Sequence, residues 1–504
     1  MVNAGLDTAV LILNDHLNRR YGALKNADPK THHILFIESE RMLSTRKWHL
    51  QRLFFLLSAR EHFLQELRDE GFTVTFIRAE NTLAGIAEFK KLHPTMRIEV
   101  TEPSSHKQYE QLKQAQLIFV PSDFFLTPRP VFSQWANSQK TLVMENFYRT
   151  QRIRLDILME GGQPLGGRWN FDADNRLPPP KGEHRWPAYL EHQRDEIDAR
   201  VLADIKASSL SIFGDDPDTT WGTTRSAALE QMHHFFENSF AEFGAFEDAM
   251  TSQTWAVNHS LLSPYLNIGL LHAQEVISAA ISRFEKGGIP LASAEGFIRQ
   301  IIGWREYING LYWHFGDLYR NENQLQATRK LLPLFTDSSK TEMNCVASQI
   351  RDIEARAWVH HIPRLMVLSN LALITGTSPQ EFLDWMRRAF IDAADWVMVP
   401  NVIGMSLHAD GGKLATKPYA SGGSYISKMG SYCKKCTFDP KKRIGEDACP
   451  FTTLYWDFLD RNRELFSKNH RMGQQLAGLN RLNDLPELRE RAKEVLDLLS
   501  RGEL

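Results

Sequence analysis

The chain has 504 residues, 42 % of them hydrophobic and 11 % aromatic, with 59 basic against 61 acidic side chains. That length exceeds one ordinary domain and the apolar content is ample for a large core, so two or three domains are expected. The near balance of charge excludes nucleic-acid binding through net charge, and four cysteines in a chain this long exclude a disulfide framework.

Short β-branched and apolar runs alternate with amphipathic helical stretches over residues 1–150: Ala9 to Leu13, Ile34 to Ile37, Phe72 to Ile77, Arg97 to Val100 and Leu117 to Val120. This rhythm predicts a parallel, Rossmann-like α/β sheet. Between the runs, Thr45 to Glu70 carries Leu53, Leu56, Leu57, Phe63, Leu64 and Leu67 at helical spacing. Ligands of such sheets bind at the carboxyl ends of the strands, which makes Asp15 and Glu38 candidates, with helix capping as the alternative for both segments. The start, Met1 to Gly5, lacks a basic, apolar signal, and runs such as Leu53 to Ala59 are too short to span a bilayer. A cytoplasmic protein with no membrane partner is expected.

From Gly161 to Pro180 the composition shifts to Gly, Pro, Asn and Asp, which predicts a crossing between domains within 151–225. Beyond it, 226–504 reads as an α domain with long periodic segments at Ala227 to Phe243, Ala292 to Phe315 and Ala355 to Ile374. No glycine-rich phosphate loop follows any strand; Gly411-Gly412-Lys413 lacks the earlier glycine such a loop needs.

Within the helical half, Ser260-Leu261-Leu262-Ser263-Pro264-Tyr265 opens a helix with hydroxyls, suited either to a phosphate or to an N-cap. Trp304-Arg305-Glu306 reads as a binding face or as core with an ion pair. His360 and His361 are neighbours that point about 100° apart on a helix and cannot chelate one ion, although one could line a pocket as a proton donor. Between Ala409 and Arg443 eight basic residues meet two acidic ones, interleaved with Tyr419, Tyr425 and Tyr432. That surface suits phosphates and unstacked bases, or is a solvated loop. Cys433 and Cys436, followed by Cys449 and joined by the distant Cys345, read as one four-thiolate site open to zinc or to an iron–sulfur cluster.

Taken together, the α/β domain, the Gly/Pro crossing, Ser260-x-x-Ser263-Pro264-Tyr265, Trp304-Arg305-Glu306 and His360-His361-x-x-Arg364 resemble the photolyase/cryptochrome superfamily. The cysteine placement, the linker phrase Gly167 to Asp172 and Val399 to Met405 resemble its bacterial iron–sulfur branch, whose members include (6-4) photolyases. The resemblance covers almost the whole chain. It implies an all-α FAD-binding domain, with Ser260, Leu261, Leu262 and Ser263 near the phosphates and Trp304, Arg305, Glu306, His360, Arg364, Asp392 and Asp395 around the cofactor. Asn401 would stand beside flavin N5, a [4Fe-4S] cluster on Cys345, Cys433, Cys436 and Cys449, and a lumazine antenna, 6,7-dimethyl-8-ribityllumazine, near Asp15 and Glu38.

It further implies a lyase acting by light on UV-damaged DNA as a monomer, with His361 as proton donor, Tyr419 and Tyr425 lining the lesion pocket, and Trp385 and Trp396 relaying electrons to oxidised flavin. Two departures stand out. Leu365 occupies the place of a second histidine in animal (6-4) enzymes, and Met386 follows Trp385 where some relatives carry an aromatic residue. The alternatives are a cryptochrome-like photoreceptor with the same cofactors, or a zinc-stabilised nucleic-acid-binding protein.

Overall fold

A computed structural model describes residues 6–504; Met1 to Gly5, on which the expectation of a missing signal falls, lie outside the described residues. Five parallel strands form the N-terminal sheet: β1 (Thr8–Ile12), β2 (His32–Ser39), β3 (Thr73–Ala79), β4 (Arg97–Thr101) and β5 (Ile118–Val120), in the order β3-β2-β1-β4-β5. All five coincide with the apolar runs of the sequence. β1 is buried along its whole length because helices cover both faces, as parallel sheets require. Strand order reverses between β1 and β4, and a crevice opens there at the carboxyl ends. β2 runs two residues further than its apolar core, so Glu38 and Ser39 belong to the strand rather than to the turn after it.

The segment 151–225 carries a helix of its own, Glu196–Ala207, which packs Val201 and Ile205 on Leu50, Leu53 and Phe54 of the helix Leu50–Asp69. That second helix starts five residues later than its periodicity predicts. Trp48 and His49 instead pair as strand with Ile212 and Phe213, and the His49 ring caps the backbone N–H of Gln51. Helices Arg129–Ser138 and Met144–Leu155 lie against the helical half: an added Cβ on Gly310 would meet the Phe132 ring at 2.0 Å, so only glycine admits that contact.

Beyond Phe213 every described element is helical. The expected helix at 227–243 breaks at Ser239, and the one at 355–374 is interrupted. Ala357 turns left-handed at φ 55°, Trp358, Val359 and His360 run irregularly, and helix resumes at His361. No described helix is long and apolar enough to cross a membrane.

Candidate functional site

Three π-helical stretches occur among the described residues: Arg299–Arg305, Pro363–Ser369 and Asn401–Ser406. Each carries residues singled out by sequence, namely Trp304 with Arg305, Arg364, and Asn401. A π turn weakens the helical ladder and is kept mostly where a side chain must be re-aimed. For the third stretch Pro400 is a local cause, since it removes a donor just ahead of Asn401.

The site is centred on Asp392. The Arg364 guanidinium holds its carboxylate by two parallel bonds of 2.9 Å, and Arg364 Nε donates to the Val359 carbonyl at 2.6 Å. Ser263 Oγ donates to Asp392 Oδ2 at 2.7 Å, and Asn267 Nδ2 to the Asp392 carbonyl at 2.7 Å. A bidentate, charge-assisted fork of this kind fixes geometry as well as energy. Ser260 and Ser263 do not open one long helix: the helix is only Ser263–Asn267, and no side chain caps it. Ahead of it the backbone is strained, with φ of 50° at β-branched Val257 and 59° at Leu261.

The two segments that build this bridge also carry polar atoms without partners among the described residues: both ends of the buried Asn258 amide and His259 Nε2 ahead of Ser263, and Trp358 Nε1 and His360 Nδ1 ahead of Arg364. Each such buried group costs about 1–3 kcal/mol unless something completes its bonds. His259 and His360 stack at 4.3 Å, and burial pushes the pKa of the former down to about 3 and that of the latter well below the usual imidazole range. His361, the first residue of the resumed helix, is exposed at its surface, yet the enclosing chain and the Arg364 cation lower its pKa to about 4.

Arg305 and Glu306 tie this domain to the segment after β5. Arg305 Nη1 bonds Glu306 Oε1 at 2.8 Å, Glu306 Oε2 accepts from Thr127 N at 2.7 Å, and the guanidinium lies 4.2 Å from the Phe125 ring centroid. Trp304 is half-buried against Tyr307. Asp395 is held by Arg387 at 2.5 Å and Arg320 at 3.4 Å rather than joining the Asp392 bridge. Asn401 donates to the Val397 carbonyl at 2.8 Å, which leaves its oxygen and a second N–H for other partners. Trp385 sits among Phe335, Phe382 and Phe390, and Trp396 stands edge-on to Phe125 at 5.0 Å. Tyr419 is partly exposed near Arg176 and Arg471, and Tyr425 is half-buried. Of the eight basic residues around them, Lys413, Lys442 and Arg443 pair with Glu322, Asp447 and Asp484; the other five make no ion pair among the described residues.

All four cysteines are unpaired in disulfides and line one cavity with Met343, Gly423, Ile426, Tyr432, Phe438 and Phe451. A Cβ on Gly423 would stand 2.8 Å from Cys449 Sγ. Burial, followed by the neighbouring sulfurs, pushes the Cys345 thiol far up, while burial raises Cys449 to about 11. Thiolates so placed require a compensating cation. Yet among the described residues no three of these sulfurs lie within 4.8 Å of one another. One zinc ion with bonds of about 2.3 Å would draw them to roughly 3.8 Å apart, so the donor set fits a larger group.

In the sheet crevice Asp15 accepts a hydrogen bond from Ser104 Oγ, joining the segments after β1 and β4 at the switch point. Glu38 is buried and paired with Arg60 and, at 3.0 Å, with Arg78. His62, Asp195 and Asp198 also converge, but there Asp195 caps its helix and bonds His62 at 2.9 Å, and Thr223 donates to Asp198 at 2.9 Å. Sequence reasoning missed Asn258, His259 and Trp358. His259 adjoins Ser260, but its stacking on a residue a hundred positions away leaves no local signal.

A family model described as deoxyribodipyrimidine photo-lyase-related protein matches residues 10–221. A (6-4) photolyase of Agrobacterium fabrum (strain C58) is 41 % identical over 488 residues, spanning 94 % of this chain and 96 % of that protein. Among solved structures, a bacterial class III photolyase from Agrobacterium tumefaciens superposes with a TM-score of 0.58 at 14 % identity, covering 99 % of this chain and 98 % of the other. A Synechocystis sp. PCC6803 cryptochrome follows with a TM-score of 0.53 at 14 % identity, covering 81 % and 83 %. At such identities the structural matches speak for the fold.

Proposed function

The chain belongs to the photolyase family, and on that premise we propose that it is a light-driven lyase that restores (6-4) pyrimidine photoproducts in UV-damaged DNA, with FAD as its cofactor. The observation that carries this reading is the convergence of Ser263, Asp392 and Arg364 on one bridge, with Asn258, His259 and Trp358, partnerless among the described residues, on the same two segments and the exposed His361 three residues before Arg364.

These residues fit FAD. Ser260 and Arg364 offer donors to phosphates, the Asn258 amide and Trp358 indole would gain the partners they lack, and Asn401 has a free carbonyl oxygen for a ring N–H. Bound reduced FAD, on absorbing light, supplies one electron to the lesion. The protein does the rest. Extruding the damaged pair costs a few kcal/mol, less than for an intact pair, and Tyr419 and Tyr425 offer stacking faces at the mouth. Lys417, Lys428, Lys434, Lys435 and Lys441 supply unpaired positive charge for the backbone around it. His361 delivers the proton. With a pKa of about 4 it is neutral at pH 7, but anionic phosphates approaching it favour the imidazolium, so the proton is loaded as the site fills.

Cys345, Cys433, Cys436 and Cys449 would hold a [4Fe-4S] cluster, and their wide sulfur spacing supports a cluster over zinc. The antenna, 6,7-dimethyl-8-ribityllumazine, is assigned to the crevice at the β1/β4 switch, with Asp15 at its edge. The photoreceptor alternative has weaker support, since the cryptochrome neighbour shares only the fold.

The test is to purify the protein in darkness, record its absorption, and illuminate it under reducing conditions with an oligonucleotide carrying one (6-4) photoproduct. Flavin bands and light-dependent return of the intact pyrimidines are expected. His361→Ala should lower repair by about 10²–10⁴-fold while leaving the flavin bands unchanged. Flavin without repair would favour a photoreceptor, and a colourless protein would defeat both readings.

A further inference from the structure

The two segments that meet at the Asp392 bridge are both gripped from the N-terminal domain. His49, Gln51 and Arg52, buried at the start of the helix Leu50–Asp69, direct side-chain donors to backbone carbonyls of the helical half. His49 Nδ1 accepts from the Gln51 N–H at 3.1 Å, so Nε2 carries the proton and donates to the Ile353 carbonyl at 2.7 Å. Gln51 Nε2 donates to the Ala355 carbonyl at 2.9 Å, two residues ahead of the break that leads to Trp358, His360 and Arg364. Arg52 holds the second segment. Its Nη1 donates to the carbonyls of Phe390 and Ile391 at 2.8 and 3.0 Å, and its Nη2 to that of Ala393 at 2.8 Å. Asp392 lies inside this grip, and the Ile391 N–H ties the two segments together by donating to the Ala357 carbonyl at 2.8 Å.

Resting on the FAD reading above, we infer that Arg52 is a positioning residue for the flavin: it sets the turn that presents Asp392 to Arg364 and Ser263, so the hold of the helical domain on its cofactor depends on a side chain of the other domain.

Three details favour positioning over packing alone. The segment 390–394 lies between the helices Pro379–Ala389 and Asp395–Pro400 and has no regular ladder of its own, so the Arg52 fork supplies the bonds that fix it. The guanidinium is buried yet makes no ion pair among the described residues, and a buried cation without one carries its desolvation cost unreturned. Burial, then the neighbouring Arg46 cation, pushes its pKa down to about 10, and the strongest opposite charge acting on it is Asp392 itself. A planar fork with donors in fixed relation holds three acceptors at once, which an ammonium on a flexible stem does not.

Release of flavin from the purified holoprotein, followed in darkness as the rise of free-FAD fluorescence after dilution, tests the assignment. Arg52→Gln removes both charge and fork and should release flavin roughly 10–100-fold faster than the wild type. Arg52→Lys keeps the cation without the fork and should recover part of that loss. Leu53→Ala is the control: on the same helix it packs on Val201 and Ile205, so it lowers the melting temperature by opening a cavity but should release flavin at the wild-type rate. If Arg52→Gln does not fold, Arg52→Lys set against Leu53→Ala decides alone. Release from Leu53→Ala as fast as from the Arg52 variants, or release from those variants at the wild-type rate, would make Arg52 a packing residue and overturn the assignment while the flavin reading stands. Wild-type protein that purifies without flavin would overturn the flavin reading and this assignment with it.

Discussion

At the carboxyl ends of the N-terminal sheet the carboxylates are answered from within the protein, Glu38 by Arg60 and Arg78 and Asp15 by Ser104, although the buried His16 Nδ1 next to Asp15 has no partner among the described residues. In the helical domain the bridge of Ser263, Asp392 and Arg364 is complete, but its two segments carry Asn258, Trp358, His259 and His360 with bonding capacity unused among the described residues and backbone in strained conformations at Val257 and Leu261. A folded chain tolerates that only where something else completes the bonds. Carboxylates at the ends of strands therefore mark a pocket without requiring a ligand, whereas unanswered polar atoms beside a fixed ion pair do require one. The thiolate cavity is the extreme of the second kind.

The contrast breaks most visibly at the cysteines. Cys449→Ser removes a donor that sits against Gly423 and opens the helix Pro450–Arg461, so loss of bound iron, of the broad visible absorption and of much of the soluble protein is expected. Iron analysis and spectra of the purified variant check it; full iron content would show that the cavity is not the holding site. Next in size, Arg364→Met strands Asp392 as a buried carboxylate without its cation. Breaking such a pair costs about 3–5 kcal/mol, and flavin content should fall along with the melting temperature. Retained flavin at wild-type stoichiometry would place the cofactor elsewhere.

The sheet was legible because its signal is local: each β-strand is an apolar run, and burial on both faces needs nothing but that run. The hydroxyl segment, the arginine after the histidines and Asp392 were reached through resemblance to a family. Composition and spacing left each of them open. What stayed hidden depends on long-range packing. The break at Ala357 that frees Trp358 and His360 from the helix, and the strand pairing of Trp48 with Ile212, are tertiary events that override a clear helical period. Asp395, named beside Asp392 through the same resemblance, is held by Arg387 and Arg320, long-range partners that no local pattern announces.

Acid sharpens the comparison. His259 and His361 have folded pKa values of about 3 and about 4, and burial holds His360 well below the usual imidazole range, against roughly 6.5 in the unfolded chain. Between those values the unfolded state binds more protons, so stability is full above about pH 6.5 and is lost as the pH falls toward 4. Melting temperatures measured from pH 7.5 to 5 should decline, and His259→Asn should flatten the slope. Bound flavin, whose phosphates favour the charged rings, should flatten it too. An unchanged slope in the variant would assign the acid sensitivity to carboxylates elsewhere.

The smallest effect is expected in the sheet. Glu38→Gln keeps the shape and one acceptor, while Arg60 retains Glu61 at 2.7 Å, so the loss should be about 1–2 kcal/mol in unfolding titrations. If Glu38 only braces Arg60 and Arg78, the variant should bind as much antenna chromophore as the wild type and repair as fast under light absorbed by flavin alone. A chromophore-free variant of unchanged stability would reverse the contrast, making the sheet crevice a second site whose ligand is held by the very carboxylate that looks satisfied.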